Sequence, residues 1–179
     1  MSGFLKRISA PLVAIGFVLT LSGCSTSNQP ASAPSSPAAS PKKITSAGVV
    51  NAAPQSIELP AGTAGEAVVR LTIQKGYHLN ANPPTFSYLK ATELVIKPAE
   101  GITVGKLVYP PALKGKFAFS EDALDVYEGE VQLKAELKAD KGASAGSRTL
   151  SAILHIQACD DQVCYPPGKI DLQIPVTVK

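Results

Sequence analysis

Val131-Gln132-Leu133-Lys134-Ala135-Glu136-Leu137-Lys138 has the clearest strand pattern in the chain. Apolar and polar side chains alternate at every position, which is the period of a β-strand with one face buried and the other in water. Residues 67–74 show a similar alternation, with Ala67, Val69, Leu71 and Ile73 on one face. Both stretches therefore predict half-buried strands of the kind found in antiparallel sheets.

Further apolar runs, bounded by Gly, Pro, Asn or Asp, predict strands at residues 92–97, 102–109, 148–159 and 169–178. No stretch has the period of an amphipathic helix, and no internal repeat is visible. Residues 48–179 have the length of one domain with its own core. About seven to nine strands in one such domain predict an all-β fold, an antiparallel two-sheet sandwich of immunoglobulin-like type.

The first 23 residues carry the features of an export signal. Lys6 and Arg7 precede fourteen largely apolar residues, and the run ends in Leu21-Ser22-Gly23-Cys24. A helix of this length rises only about 21 Å, which is short of the roughly 30 Å of a bilayer core. The tetrapeptide resembles the bacterial lipobox, which implies that residues 1–23 are a cleaved lipoprotein signal peptide and that the Cys24 thiol is acylated. The alternative is an ordinary cleaved signal with an incidental cysteine.

Residues 24–47 are predicted to form a disordered linker between this lipid anchor and the domain. Between Ser25 and Pro41 the chain contains only Ser, Thr, Asn, Gln, Pro and Ala, so it has no apolar surface to offset its ordering entropy. We expect a cell-envelope location, facing the periplasm or the cell exterior, and Ser25 beside the anchor favours the outer membrane. Without the signal the chain has 15 Lys and Arg against 14 Asp and Glu. This near-neutral charge argues against nucleic acid as a partner.

Cys159 and Cys164 are then the only cysteines of the predicted domain. They flank Asp160-Asp161-Gln162-Val163 between two predicted strands, so the simplest local model is a hairpin with the cysteines opposite each other. Side chains at such positions are close enough for a disulfide. Closing so small a loop contributes only about 2 kcal/mol in the chain-entropy model, which favours a redox role but leaves a structural disulfide open.

Side-chain direction bears on access to this pair. If Leu150 and the alternate residues up to Ala158 face the core, Cys159 lies on the opposite face and is reachable from solvent. Strict pairing of Cys159 with Cys164 would turn the apolar residues of the return strand outward. Pro166-Pro167-Gly168 is therefore expected to break the register with a bulge or bend.

The two histidines are the remaining candidates for a binding site. His155 is about 13 Å from Cys159 along a strand, too far to share an ion, so we expect neither a metal nor a cofactor. His78 belongs to a segment that contains Asn80, Asn82 and two prolines. For this segment we favour a structured turn, whose polar groups satisfy the backbone, over a binding site.

The run Gln157-Ala158-Cys159-Asp160-Asp161-Gln162-Val163-Cys164-Tyr165-Pro166-Pro167 resembles the active-site segment of the N-terminal periplasmic domain of the thiol:disulfide interchange protein DsbD. Its Cys-Tyr-Pro-Pro element is the most specific part. Gly76-Tyr77-His78-Leu79-Asn80, Tyr109-Pro110-Pro111 and Tyr127-Glu128-Gly129 also occur in the order of that family. The resemblance covers most of the predicted domain and none of the anchor or linker.

This resemblance implies an immunoglobulin-like domain whose cysteine pair passes electrons by thiol–disulfide exchange, as a component of a protein-disulfide reductase system. Cys164 would form the mixed disulfide with a partner, and Cys159 would resolve it. The family also shields its pair with an aromatic cap. Phe117 and Phe119 are the candidates for that cap, with core packing as the alternative for both.

Two departures from the family are visible. Its enterobacterial members have one more residue between the cysteines, and in this sequence no membrane segments or thioredoxin-like Cys-x-x-Cys follow the domain. We therefore expect a separate membrane protein to supply electrons and periplasmic thiol oxidoreductases to receive them. The alternative is a non-catalytic envelope domain that binds protein and uses its disulfide structurally.

Overall fold

The computed structural model describes residues 43–179, which form a nearly all-β structure. The predicted signal peptide 1–23, Cys24 and most of the predicted linker lie outside the described residues. A 3-10 helix, Ser46–Val49, precedes the first strand. The strands of this part of the chain are, in order, β1 Val50–Pro54, β2 Ile57–Leu59, β3 Ala64–Ile73, β4 His78–Asn80, β5 Glu93–Ile96, β6 Ile102–Val108, β7 Leu113–Gly115, β8 Leu124–Tyr127, β9 Glu130–Ala139, β10 Gly146–Ile156, β11 Ala158–Cys159 and β12 Gly168–Val178. Between residues 43 and 179, no helix is long and apolar enough to cross a bilayer.

Two four-stranded sheets contain the long strands. The first has the order β1-β3-β9-β6 and is antiparallel throughout, and the second has the order β2-β12-β10-β5, with only β2 parallel to its neighbour. The alternating stretch 131–138 lies in β9, where Leu133, Ala135 and Leu137 are almost fully buried. Alternation of this kind buries one face of each sheet. The two packed faces confirm the predicted all-β, immunoglobulin-like class.

A third sheet, of order β11-β4-β8-β7, consists of antiparallel strands of two to four residues. The sequence pattern does not predict this sheet, because strands this short show no recognisable period. A separate small cluster of buried side chains belongs to it and to the loops around it: Phe117, Leu124 and Val126, with Phe86 and Leu89 packed against them. The main core, which includes Leu71, Leu137, Leu154 and Ile174, is formed largely by the two larger sheets.

β10 and β12 form the longest hairpin, and its closed end carries the cysteines. Regular pairing ends at Ile156 opposite Gly168, and beyond it Cys159 bridges Cys164. Between these two pairs, residues 157–158 of one strand lie opposite residues 165–167 of the other. Two residues opposite three make a β-bulge. The bulge is the register break that Pro166-Pro167-Gly168 predicts, and it keeps the apolar residues of β12 turned toward the core.

Candidate functional site

The Cys159 and Cys164 side chains are joined in a disulfide, with an S–S distance of 1.98 Å and a Cα–Cα distance of 3.9 Å. The two cysteine residues differ in exposure. Cys159 is 0% exposed, whereas Cys164 is half-buried. The expectation that Cys159 is reachable is wrong, because β10 ends at Ile156 and Cys159 belongs to β11, which pairs with a different neighbour, β4. The alternation of faces along β10 therefore does not continue to Cys159.

Asp160 organises the loop between the cysteines. Its Oδ1 atom accepts hydrogen bonds from the backbone N–H groups of Gln162 and Val163, both at 2.8 Å, and its Oδ2 atom accepts one from the Tyr165 hydroxyl at 2.5 Å. The Tyr165 hydrogen bond, together with the two backbone donors, lowers the pKa of Asp160. The same carboxylate raises the pKa of Tyr165 to about 12. The loop is thus held in one conformation by a carboxylate that stays ionised at neutral pH.

Gln157, at the break between β10 and β11, ties the loop to the third sheet. Its Oε1 atom accepts from the Asn80 side chain and from the Lys90 backbone, each at 3.2 Å, and its Nε2 atom donates to the Tyr165 carbonyl at 3.2 Å. Asn80 also donates to the Lys90 carbonyl at 3.1 Å. The cysteine hairpin is therefore tied to the third sheet by hydrogen bonds of Gln157 and Asn80, although the buried Oδ1 atom of Asn80 has no partner among the described residues.

Ser46 holds the hairpin from the side of the predicted linker. Its hydroxyl donates to the Pro166 carbonyl at 2.7 Å and accepts from the Ala158 N–H at 3.0 Å, and the residue is completely buried. The two residues that Ser46 contacts, Ala158 and Pro166, lie on either side of the cysteine pair in the sequence. Ser46, which the sequence places in the linker, is thus part of the ordered domain. A single serine beside a low-complexity segment gives no sign that it will hold the cysteine hairpin.

His78 lies directly opposite Cys159 in the pairing of β4 with β11. Residues in such a cross-strand pair have their side chains on the same face, with Cβ atoms about 5 Å apart. His78 is 2% exposed, and its Nε2 atom has no hydrogen-bond partner among the described residues. Burial lowers the pKa of His78, while the negative charges of Asp161 and Asp160 raise it and offset part of that effect. The structure thus places this imidazole in a strand beside the cysteines, whereas the sequence favoured a turn.

An aromatic layer covers the imidazole. The Phe117 ring stacks on that of His78 with centroids 3.8 Å apart, and Phe119 stacks on Phe117 at 5.6 Å. Phe117 is 9% exposed and Phe119 is 38% exposed. Both lie in the loop between β7 and β8, which is tightened by a hydrogen bond from the Ser120 N–H to the Phe117 carbonyl at 3.1 Å. Of the two cap candidates, Phe117 is the one in contact with the ring beside the cysteine pair.

A polar cleft of about 360 Å³ is lined in part by His78, Lys75, Glu128 and Asp161. Between residues 43 and 179, no group of three His, Cys, Asp or Glu side chains is placed to hold a metal ion. The chemically reactive groups that the site brings together are two sulfur atoms, an imidazole and the surrounding carboxylates.

The fold and site define an immunoglobulin-like β-domain that presents a disulfide at the end of its longest hairpin. The family model described as "Thiol:disulfide interchange protein DsbD, N-terminal" matches residues 47–174, well over half of the chain. The chain belongs to this family of thiol–disulfide interchange domains, which confirms the resemblance drawn from the Cys-Tyr-Pro-Pro run. No curated protein sequence matches it.

Two solved structures of related domains are similar. The N-terminal domain of DsbD from Neisseria meningitidis, in its reduced form, is 22% identical, with 64% of this chain and 79% of that chain covered and a TM-score of 0.41. The N-terminal periplasmic domain of ScsB from Proteus mirabilis is 17% identical, with 70% of this chain covered and a TM-score of 0.48. This chain spans 44% of the length of the ScsB structure.

Proposed function

We propose that the domain passes electrons between the cysteines of other proteins through Cys159 and Cys164. The observation that supports this most directly is the unequal exposure of the two cysteine residues, with Cys164 half-buried and Cys159 fully buried. Thiol–disulfide exchange needs one sulfur that a partner can reach and a second thiol beside it that can complete the reaction. Cys164 fits the first role and Cys159 fits the second.

In the reducing direction, the Cys164 thiolate attacks a partner disulfide, which forms a mixed disulfide and releases one partner thiolate. Cys159 loses its proton and attacks the Cys164 sulfur, which releases the second partner thiolate and closes the Cys159–Cys164 bond. Two electrons pass to the partner, and a donor thiol returns the pair to the dithiol form by the reverse steps.

The small contribution of the disulfide to the stability of the domain favours thiol–disulfide exchange over a purely structural role. Loop closure over this interval contributes only about 2 kcal/mol in the chain-entropy model. The flanking strands are already paired from Gly146 opposite Val178 to Ile156 opposite Gly168. The disulfide therefore closes a hairpin whose strands the two sheets and the bulge already position.

We also propose that the domain acts in the cell envelope, anchored by a lipid on Cys24 after cleavage of residues 1–23. Periplasmic thiol oxidoreductases are the proposed acceptors, with a separate membrane protein as donor. Mass spectrometry of the N-terminal peptide from the full chain tests the anchor. An acylated Cys24 at the new N-terminus is expected, and an intact residue 23–24 bond would contradict it.

The reduction potential of the pair tests the proposed function against the structural alternative. Structural disulfides usually have potentials below about −300 mV, whereas exchange-competent ones lie higher. We expect a value above that limit when the protein is equilibrated with dithiothreitol or glutathione buffers and the fraction of free thiol is measured. A value well below it would favour a non-catalytic protein-binding domain with a structural disulfide.

A further inference from the structure

The Nε2 atom of His78 is buried, and in the disulfide form of the site it has no hydrogen-bond partner among residues 43–179. An unsatisfied buried polar atom costs about 1–3 kcal/mol. The residue beside it in the sheet is Cys159, which carries no proton while it is part of a disulfide. In the dithiol form, Cys159 gains an S–H group on the same face of the sheet.

From this juxtaposition we infer that His78 accepts the Cys159 proton when the mixed disulfide is resolved. This inference rests on the proposed exchange function and assigns a catalytic role to a residue outside the cysteine pair. The proton moves from Cys159 Sγ to His78 Nε2, and the Cys159 thiolate then attacks Cys164 Sγ. The Cys159–Cys164 bond forms, the partner sulfur leaves as a thiolate, and the imidazolium releases its proton to that thiolate or to solvent. In the reverse direction the imidazolium protonates Cys159 as it leaves.

The charge environment of His78 suits a base at neutral pH. Its pKa is lowered, chiefly by burial, so the neutral ring is available to accept a proton. Asp160 and Asp161 on the cysteine loop raise the pKa and would stabilise the imidazolium that forms. Lys75 and Glu128, of opposite charge, line the cleft beside the ring together with Asp161. Acceptance at Nε2 requires the tautomer whose hydrogen is on Nδ1.

Phe117 gives the ring a fixed orientation. Its stacking distance of 3.8 Å and interplanar angle of 16° leave the imidazole in full contact with an aromatic face. This packing excludes water from one side of the ring, and in a water-poor site a thiol has few other acceptors for its proton. The buried sulfur therefore depends on His78 more than a solvent-exposed thiol would.

The kinetic test uses the reduced domain labelled at Cys164 with dithiodipyridine at acidic pH and then transferred to a series of higher pH values. Release of thiopyridone reports attack by Cys159. For His78→Gln we expect resolution at neutral pH slower by a factor on the order of 100, the lower range for general base catalysis. The defect should shrink at alkaline pH, where Cys159 ionises without help. His155→Gln is the matched control, since His155 is the other of the two histidines and is exposed on β10.

A second measurement leaves His78 in place and needs no partner protein. In ¹⁵N-labelled His155→Gln, the only histidine signals come from His78. We expect the Nε2 resonance and the titration midpoint of His78 to change when dithiothreitol reduces the disulfide. Unchanged ring signals on reduction, or equal resolution rates for His78→Gln and His155→Gln, would overturn the inference. Because the probes are small molecules, these outcomes are separate from failure to find a protein partner, which would remove the proposed function.

Discussion

Replacement of Cys159 by Ser is expected to convert a transient complex with the redox partner into a stable one. Once Cys164 has formed a mixed disulfide, only a second thiol beside it can displace the partner, and the buried Cys159 is that thiol. Without it, the covalent adduct should accumulate from an undetectable level to a discrete band on non-reducing gels of envelope extracts. Mass spectrometry of the band should give a bond between Cys164 and a partner cysteine.

The matched control for this experiment is Cys164→Ser, which keeps the buried thiol and removes the half-buried one. We expect no adduct from this variant, because Cys159 is 0% exposed and a partner cannot reach it. The wild-type protein should also give none, since Cys159 resolves each complex as it forms. Equal trapping by both variants would contradict the division of roles between the two sulfurs. Absence of any adduct from Cys159→Ser would favour the structural role of the disulfide.

The long strands could be predicted from the sequence because each buries one face and so repeats every second residue. β9 shows this most clearly, with Leu133, Ala135 and Leu137 buried. The register break at Pro166-Pro167-Gly168 could also be predicted, since the apolar face of the return strand fixes its register. The short strands of the third sheet could not, because two to four residues do not define a period.

The cysteine pair could be found from spacing, but its surroundings could not. The alternation of β10 predicts an exposed Cys159, but that strand ends at Ile156 and Cys159 belongs to β11, where it is buried. The contacts of Cys159 with His78, and of Ser46 with Ala158, join residues far apart in the chain. No local pattern encodes contacts of this kind, because they depend on which strands the fold makes neighbours.

Replacement of Phe117 by Ala is expected to destabilise the domain and to open the cysteine pair. Phe117 is 9% exposed, stacks on His78 and is one of three buried residues in the small cluster of the third sheet. Loss of a buried phenylalanine typically costs 3–5 kcal/mol, and in so small a cluster we expect about 3 kcal/mol. Urea unfolding measures this change as a fall in the free energy of unfolding.

The same variant should speed alkylation of the reduced pair by iodoacetamide. If the Phe117 ring must move away before alkylation, at a free-energy cost of about 1.4 kcal/mol, it slows the reaction about tenfold. Removal of the ring should therefore raise the alkylation rate by at least that factor. Phe119→Ala is the control, because Phe119 is 38% exposed and its ring centroid is 6.3 Å from that of His78, against 3.8 Å for Phe117. It should change stability by less than about 1 kcal/mol and leave the alkylation rate nearly unchanged.

Gly115→Ala gives an independent way to move the cap without removing it. A methyl group at Gly115 would collide with the Phe117 ring, so the ring must shift from its position over His78. We therefore expect this variant to speed alkylation as Phe117→Ala does. If Phe119→Ala alone had this effect, Phe119 would be the cap and the contact between Phe117 and His78 would be packing only. If all three variants reacted at the wild-type rate, the burial of Cys159 would depend on the strands β4 and β11 themselves rather than on the aromatic loop.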